Sequence, residues 1–108
     1  MQGKTLFRAY VGDSPTARII EFLIEGDGLD YSMADMASNI NVSWRTVHRL
    51  IPELEKIGLV IHTRRIGKAK LYSLNKENIV VKKLVELFNA VIRRGVMEQA
   101  LARSYVRA

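Results

Sequence analysis

Cysteine is absent from the 108 residues, which removes disulfides, thiolate metal sites and cysteine nucleophiles together. Histidine is nearly as scarce: His48 and His62 are the two, and they cannot build a structural zinc site without two further ligands. No run approaches the ~20 apolar residues of a membrane span, and the amino-terminal stretch lacks the apolar core of a signal peptide. The acidic residues show no pairing suited to acid–base work, and no nucleophile sits in a recognisable motif. Gly67-Lys68 is not followed by the Ser or Thr of a phosphate-binding loop. The expectation is a cytoplasmic, single-domain, non-enzymatic chain with no metal and no cofactor.

What is present is basic charge, unevenly placed. The net charge is +6, but residues 1–42 carry net −3, residues 43–70 net +5 and residues 71–108 net +4. Cations are therefore concentrated in the middle and the last third of the chain, which points to a polyanionic partner.

Residues Lys4 to Val11 (KTLFRAYV) are ambiguous, with aromatic and β-branched content that favours a short strand, and residues 1–13 read as an arm or strand. Ser14-Pro15 is a helix start, with Ser as N-cap and Pro where its missing N–H costs nothing. Ala17, Ile20, Leu23 and Ile24 form an inward stripe that ends at Gly26. Ile19 and Phe22 lie off it, so this helix is expected to be covered on two sides. Leu29 to Tyr31 reads as a very short strand.

The most informative segment is Met33 to Pro52, MADMASNINVSWRTVHRLIP. Ser32 and Ser43 each cap a helix, and Tyr31–Met36 and Val42–Val47 have the spacing of hydrophobic staples. Between the helices Asn41 falls where the chain needs a left-handed backbone, which Asn tolerates better than any residue but Gly. Small Ala37 suits a close helix crossing. Together these features specify a helix-turn-helix.

The second of the two helices is expected over 44–57, ending at Gly58, with Pro52 as a local conflict that should kink or restart it. At roughly 100° per residue, Val47, Leu50, Ile51, Leu54 and Ile57 share a core side. Arg45, Arg49 and Lys56 point the other way, flanked by Trp44 and His48 on one side and Thr46 on the other. Arg45 and Arg49 lie one turn apart and can reach the same stretch of a groove. The planar fork of Arg matches the two acceptors of a guanine edge, although either residue can instead hold a phosphate. Trp44 packs on the preceding helix or touches base and sugar. Ser43 and Thr46 are further candidate phosphate contacts.

Leu59–Arg65 and Lys70–Leu74 read as two strands joined by Ile66–Ala69, a wing over 59–74 with Arg64, Arg65, Lys68 and Lys70 around Gly67. These cations are placed either for a duplex backbone or minor groove, or to keep an edge hairpin soluble. Asn75 is the expected cap of the last helix. There Val81, Leu84, Phe88 and Val91 repeat at the spacing of a coiled-coil seam, which suggests dimerisation over 76–94. Gly95 should interrupt that helix, leaving 95–108 as a basic tail or an extension.

Over roughly residues 14–92, with 14–75 as the winged-helix domain, this order of elements resembles the winged helix-turn-helix transcription regulators of the ArsR/MarR-like type, particularly the small archaeal ones. The passages that carry the resemblance are Ala37 with Asn41 and Val47, Ser43–Val60 and Arg64–Leu74. It implies a mainly α fold with a small β-hairpin (α+β) and a long carboxy-terminal dimerisation helix. It also implies a homodimer on double-stranded DNA as a sequence-specific transcriptional regulator. Ser43, Trp44, Arg45, Thr46, His48 and Arg49 would then lie in the major groove, with Arg64, Arg65, Lys68 and Lys70 on the wing. Metal-sensing members use a cysteine segment or Asp and His ligands on the last helix; this chain has no cysteine and no His beyond position 62. An architectural DNA-coating protein and a winged-helix module for protein or RNA are the rival functions.

Overall fold

The computed structural model describes residues 5–107. It opens with a helix rather than an arm or strand: α1 spans Leu6–Val11, capped by Thr5, whose side chain accepts from the Arg8 amide. Local β propensity loses here to tertiary packing. Phe7 is buried, its ring 5.5 Å from that of Phe88, and Arg8 reaches a carboxylate on the next helix. Residues 1–4 of the expected arm lie outside the described residues.

Helix α2 (Pro15–Glu25) starts on Ser14, whose Oγ accepts from the Ala17 amide at 3.0 Å, and stops at Gly26. It touches α1 and every later helix. Ile19 is fully buried alongside Ala17, Leu23 and Ile24, so the helix is covered on more than one side, as its off-stripe apolar residues require. Glu21 is buried as well, and accepts from Thr5 Oγ1 at 2.6 Å and from Arg8 Nε at 2.9 Å. Strand β1 (Tyr31–Ser32) lies two residues beyond the expected start, because Leu29 is exposed while the Tyr31 ring packs on Phe22 at 4.6 Å.

Helices α3 (Met33–Ile40) and α4 (Trp44–Lys56) form the helix-turn-helix. The hydroxyls of Ser32 and Ser43 accept from the amides of Asp35 and Thr46, each at 3.1 Å, which satisfies donors that a helix start leaves unpaired. Asn41 has φ 56° and ψ 48°, the left-handed turn its side chain predicts. Pro52 neither ends nor restarts α4. Pro52 is exposed, and so is His48, the residue whose carbonyl it leaves without a helical donor. Gly58 closes the helix at φ 80°. Ile57, expected in the core, is exposed, because it falls at the helix end beyond the neighbouring elements.

Strands β2 (Val60–Ile66) and β3 (Ala69–Leu74) make an antiparallel hairpin, and β1 pairs on the other edge of β3 to give the order β1-β3-β2. The register slips between His62 and Arg64. Asn75 caps a turn rather than the last helix. Its Oδ1 accepts from Glu77, whereas Asn78 Oδ1 accepts from the Val80 amide at 2.8 Å and so starts α5 (Ile79–Arg107). Both Asn side chains donate to the Gly58 carbonyl at 2.9 Å, tying the end of α4 to the start of α5.

Helix α5 runs through Gly95 without a break. Gly95 is buried, and Leu6 Cδ1 occupies the space a Cβ would need. The glycine therefore lets α1 approach α5. The seam residues are also placed differently from expectation. Val81 and Val91 are 1% and 4% exposed, and Leu84 and Phe88 pack against the same core. Heptad spacing records that a stripe is covered, and here α1 and α2 of the same chain take part in covering it.

Candidate nucleic-acid interface

Helix α4 is held by its buried side, with Val47 and Ile51 fully enclosed and Leu54 nearly so. That anchoring presents Trp44, Arg45, His48 and Arg49 to solvent on the opposite side, while Thr46 is half-buried. Ser43 and Thr46 are occupied locally. Ser43 Oγ donates to Thr46 Oγ1 at 2.9 Å and caps the helix, so neither hydroxyl is wholly free for another partner. Trp44 is 55% exposed, and its ring lies flat on His48, one turn along, with centroids 4.5 Å apart and planes 17° apart.

The cations of α4 and the hairpin divide by their partners. Arg64 turns to the loop before β1, where its Nε and Nη2 donate to the two carboxylate oxygens of Asp30 at 3.0 and 3.1 Å. Thr63 Oγ1 donates to the same carboxylate at 2.5 Å. Arg64, first in causing the shift, and then Thr63 pull the Asp30 carboxyl down to about 2, and the Arg64 guanidinium is raised in return. Arg64 is thus a strut between wing and loop, a role no local spacing signals because Asp30 lies 34 positions away. Arg45, Arg49, Arg65, Lys68 and Lys70 have no carboxylate partner among the described residues. Elsewhere Arg8, Arg18, Lys76, Lys83 and Arg94 are paired, whereas Lys56 at the end of α4 and Lys82 and Arg93 on α5 have no carboxylate partner among the described residues.

Gly67 and Lys68 form the tip of the hairpin, Gly67 at φ 60°. Between that tip and the amino-terminal ends of α3 and α4 lies an open groove of about 280 Å³, bordered by Met33, Ala34, Trp44, His48, Lys68 and Lys70. His62 lies apart from it, beside Tyr72 at 5.8 Å. Among the described residues no three His, Asp or Glu come together as a candidate metal site, and no helix is long and apolar enough to cross a membrane.

No family model matches the chain, and no curated protein is similar to it at a significant level. Solved structures do match. The Staphylococcus aureus transcription regulator MepR superposes with a TM-score of 0.62 at 21% identity, over 90% of this chain and 68% of its own. An S. aureus MepR variant bound to an oligodeoxyribonucleotide gives a TM-score of 0.62 at 21% identity, over 91% and 69%. A homodimeric winged helix-turn-helix DNA-binding domain from Mycobacterium bovis, described as a possible ArsR-family regulator, gives 0.59 at 17% identity, over 91% and 95%. The chain has the winged helix-turn-helix fold. In that fold α4 is the second helix of the helix-turn-helix and the β2–β3 hairpin is the wing.

Proposed function

We propose that this winged helix-turn-helix protein is a homodimeric, sequence-specific DNA-binding transcriptional regulator, with α4 in the major groove and the wing on the flanking backbone or minor groove. One observation carries the reading: Arg45 and Arg49 stand a turn apart on the exposed face of α4, without carboxylate partners among the described residues. Arg65, Lys68 and Lys70 on the hairpin are likewise unpaired. Keeping such cations unpaired suits a partner that supplies its own negative charge, as the phosphates of a duplex do. The bound MepR variant is a solved example of this fold on DNA.

The second protomer is assigned to the outer face of α1 and the distal half of α5. Leu6, Tyr10, Ile92, Val96, Met97 and Leu101 are each 43–64% exposed there, and a group of exposed large apolar side chains suits a protein partner. A two-fold axis through that face would present two recognition helices to half-sites about one helical turn apart, ~34–36 Å.

The test is selection by the full chain from a random duplex library at ~150 mM salt, where non-specific phosphate contacts weaken. Enrichment of an approximately palindromic motif supports the reading. Retention without a motif indicates a DNA-coating protein, and no retention turns attention to a protein or RNA partner.

A further inference from the structure

The face of α4 that looks toward the wing is aromatic, not charged. Trp44 is 55% exposed at the first turn of the helix, although the core lies within reach of neighbouring residues on the same helix. It is not loose: His48 lies flat against one side of the ring and restricts how the indole can turn. The groove it borders has Met33, Ala34 and Ala69 as further apolar lining, with Lys68 and Lys70 on the wing side. An apolar surface edged on the wing side by Lys68 and Lys70, which have no carboxylate partner among the described residues, suits a ligand that is negatively charged overall and offers an apolar group at one point.

We infer that Trp44, held by His48, reads the 5-methyl group of a thymine. This rests on the proposed function, which places α4 in the major groove. There the residues at the start of the recognition helix meet base edges. The thymine methyl is the apolar group a duplex displays in that groove, where the other edges offer hydrogen-bond donors and acceptors. Arg45 and Arg49 recognise acceptors; Trp44 adds a contact they cannot make. It selects thymine over cytosine, which lacks the methyl and presents an amino group beside that place. Trp44 is therefore a specificity-determining residue, and the operator carries a required thymine in each half-site.

The experiment uses the full chain and the duplexes retained in the selection, with each thymine of the motif replaced in turn by deoxyuridine. That change removes one methyl and leaves the base pair intact. At one position per half-site the wild-type protein should bind about fourfold more weakly, the loss expected from uncovering one buried methyl. Trp44→Ala should bind the thymine and uridine duplexes equally, whereas Arg49→Ala should bind both more weakly and keep the wild-type ratio. Trp44 is the single tryptophan of the chain, so its emission reports on the same contact and should change when the thymine duplex binds. Because Trp44 is exposed, circular dichroism of Trp44→Ala should match wild type.

Uridine tolerated at every position, or a thymine-to-uridine ratio that survives in Trp44→Ala, would overturn the inference while leaving the proposed function in place. Failure to select any motif would overturn both.

Discussion

Arg18 Nη1 donates to the Ile40 carbonyl at 3.1 Å while its Nε and Nη2 hold the carboxylate of Asp13 at 2.8 and 3.1 Å. Asp13 is shared with Arg8, at 2.5 Å, and Arg8 in turn pairs with buried Glu21. A line of charge-assisted bonds thus runs from α1 across α2 to the turn between α3 and α4. Its end sits on the carbonyls that α3 leaves without intrahelical donors. Removing Arg18 should loosen that turn without touching the exposed face of α4. Arg18→Ala is predicted to lower Tm by a few degrees and to speed amide exchange around Asn41 and Val42. Unchanged exchange there would show that the turn holds itself.

Two glycines are predicted to respond differently to alanine. A Cβ at Gly26 would lie 2.5 Å from Tyr31 Oη and 2.7 Å from its ring. Tyr31 cannot easily yield, because it packs on Phe22 and pairs across the sheet with Tyr72. Gly26→Ala should cost about 1–3 kcal/mol. At Gly95 the obstruction is the free end of Leu6, a half-exposed side chain that can turn aside. There the helix gains up to about 1 kcal/mol from exchanging Gly for Ala, so Gly95→Ala should be neutral or stabilising. Urea unfolding at one fixed protein concentration compares them. Equal losses would mean that α1 is locked on α5 as firmly as Tyr31 is on α2.

The wing strut should respond to acid. The Asp30 carboxyl titrates at about 2 in the folded protein, below the value of about 3.9 expected of an unfolded Asp. A depressed folded value contributes stability that is complete above the unfolded one and is lost as pH falls through the folded one. The contribution should therefore fade between about pH 4 and pH 2. Asp13, held by Arg18 and then Arg8 below the usual carboxylate range, has the same sign. The difference between wild type and Asp30→Asn isolates the strut. The variant should melt lower at pH 7, and the gap should close as pH approaches 2. A gap independent of pH would show that Arg64 gains nothing from the Asp30 charge.

The unpaired cations predict two distinct kinds of loss. Arg49→Ala should weaken binding to a selected duplex at least about tenfold, the discrimination of a good bidentate base contact. Binding to a duplex of unrelated sequence should change much less. Lys68→Ala should weaken both and reduce the slope of log K against log salt by about one, as expected for one lost phosphate contact. Anisotropy titrations at several salt concentrations separate these patterns. An unchanged slope for Lys68→Ala would place the wing tip off the DNA.

The part of the fold from α2 to β3 was legible because its signals are local. Ser14, Ser32 and Ser43 cap the helices they precede, and Asn41 and Gly58 occupy the left-handed positions their residue types suit. The features that local patterning does not reveal depend on contacts distant in sequence. Helix α1 is six residues long and owes its burial to Phe88, some eighty positions away. Gly95 is a point of close approach that becomes visible once Leu6 is known to lie on it. Val81 and Val91 have the spacing of a seam between chains, yet it is their own chain that encloses them. Arg64 and Arg65 are indistinguishable as sequence, and Asp30 separates them. The exposure of Trp44 could not be read from its spacing, since its position on α4 suits packing or contact equally.

In the proposed complex two copies of α4 read two half-sites of one duplex. Hydroxyl-radical footprinting of a selected duplex, titrated with the full chain, tests it most directly. Dyad-related protection is expected on both strands, centred about 10–10.5 base pairs apart, reaching saturation at two protomers per duplex. A single protected stretch at one protomer per duplex, or uniform protection without a boundary, would contradict it.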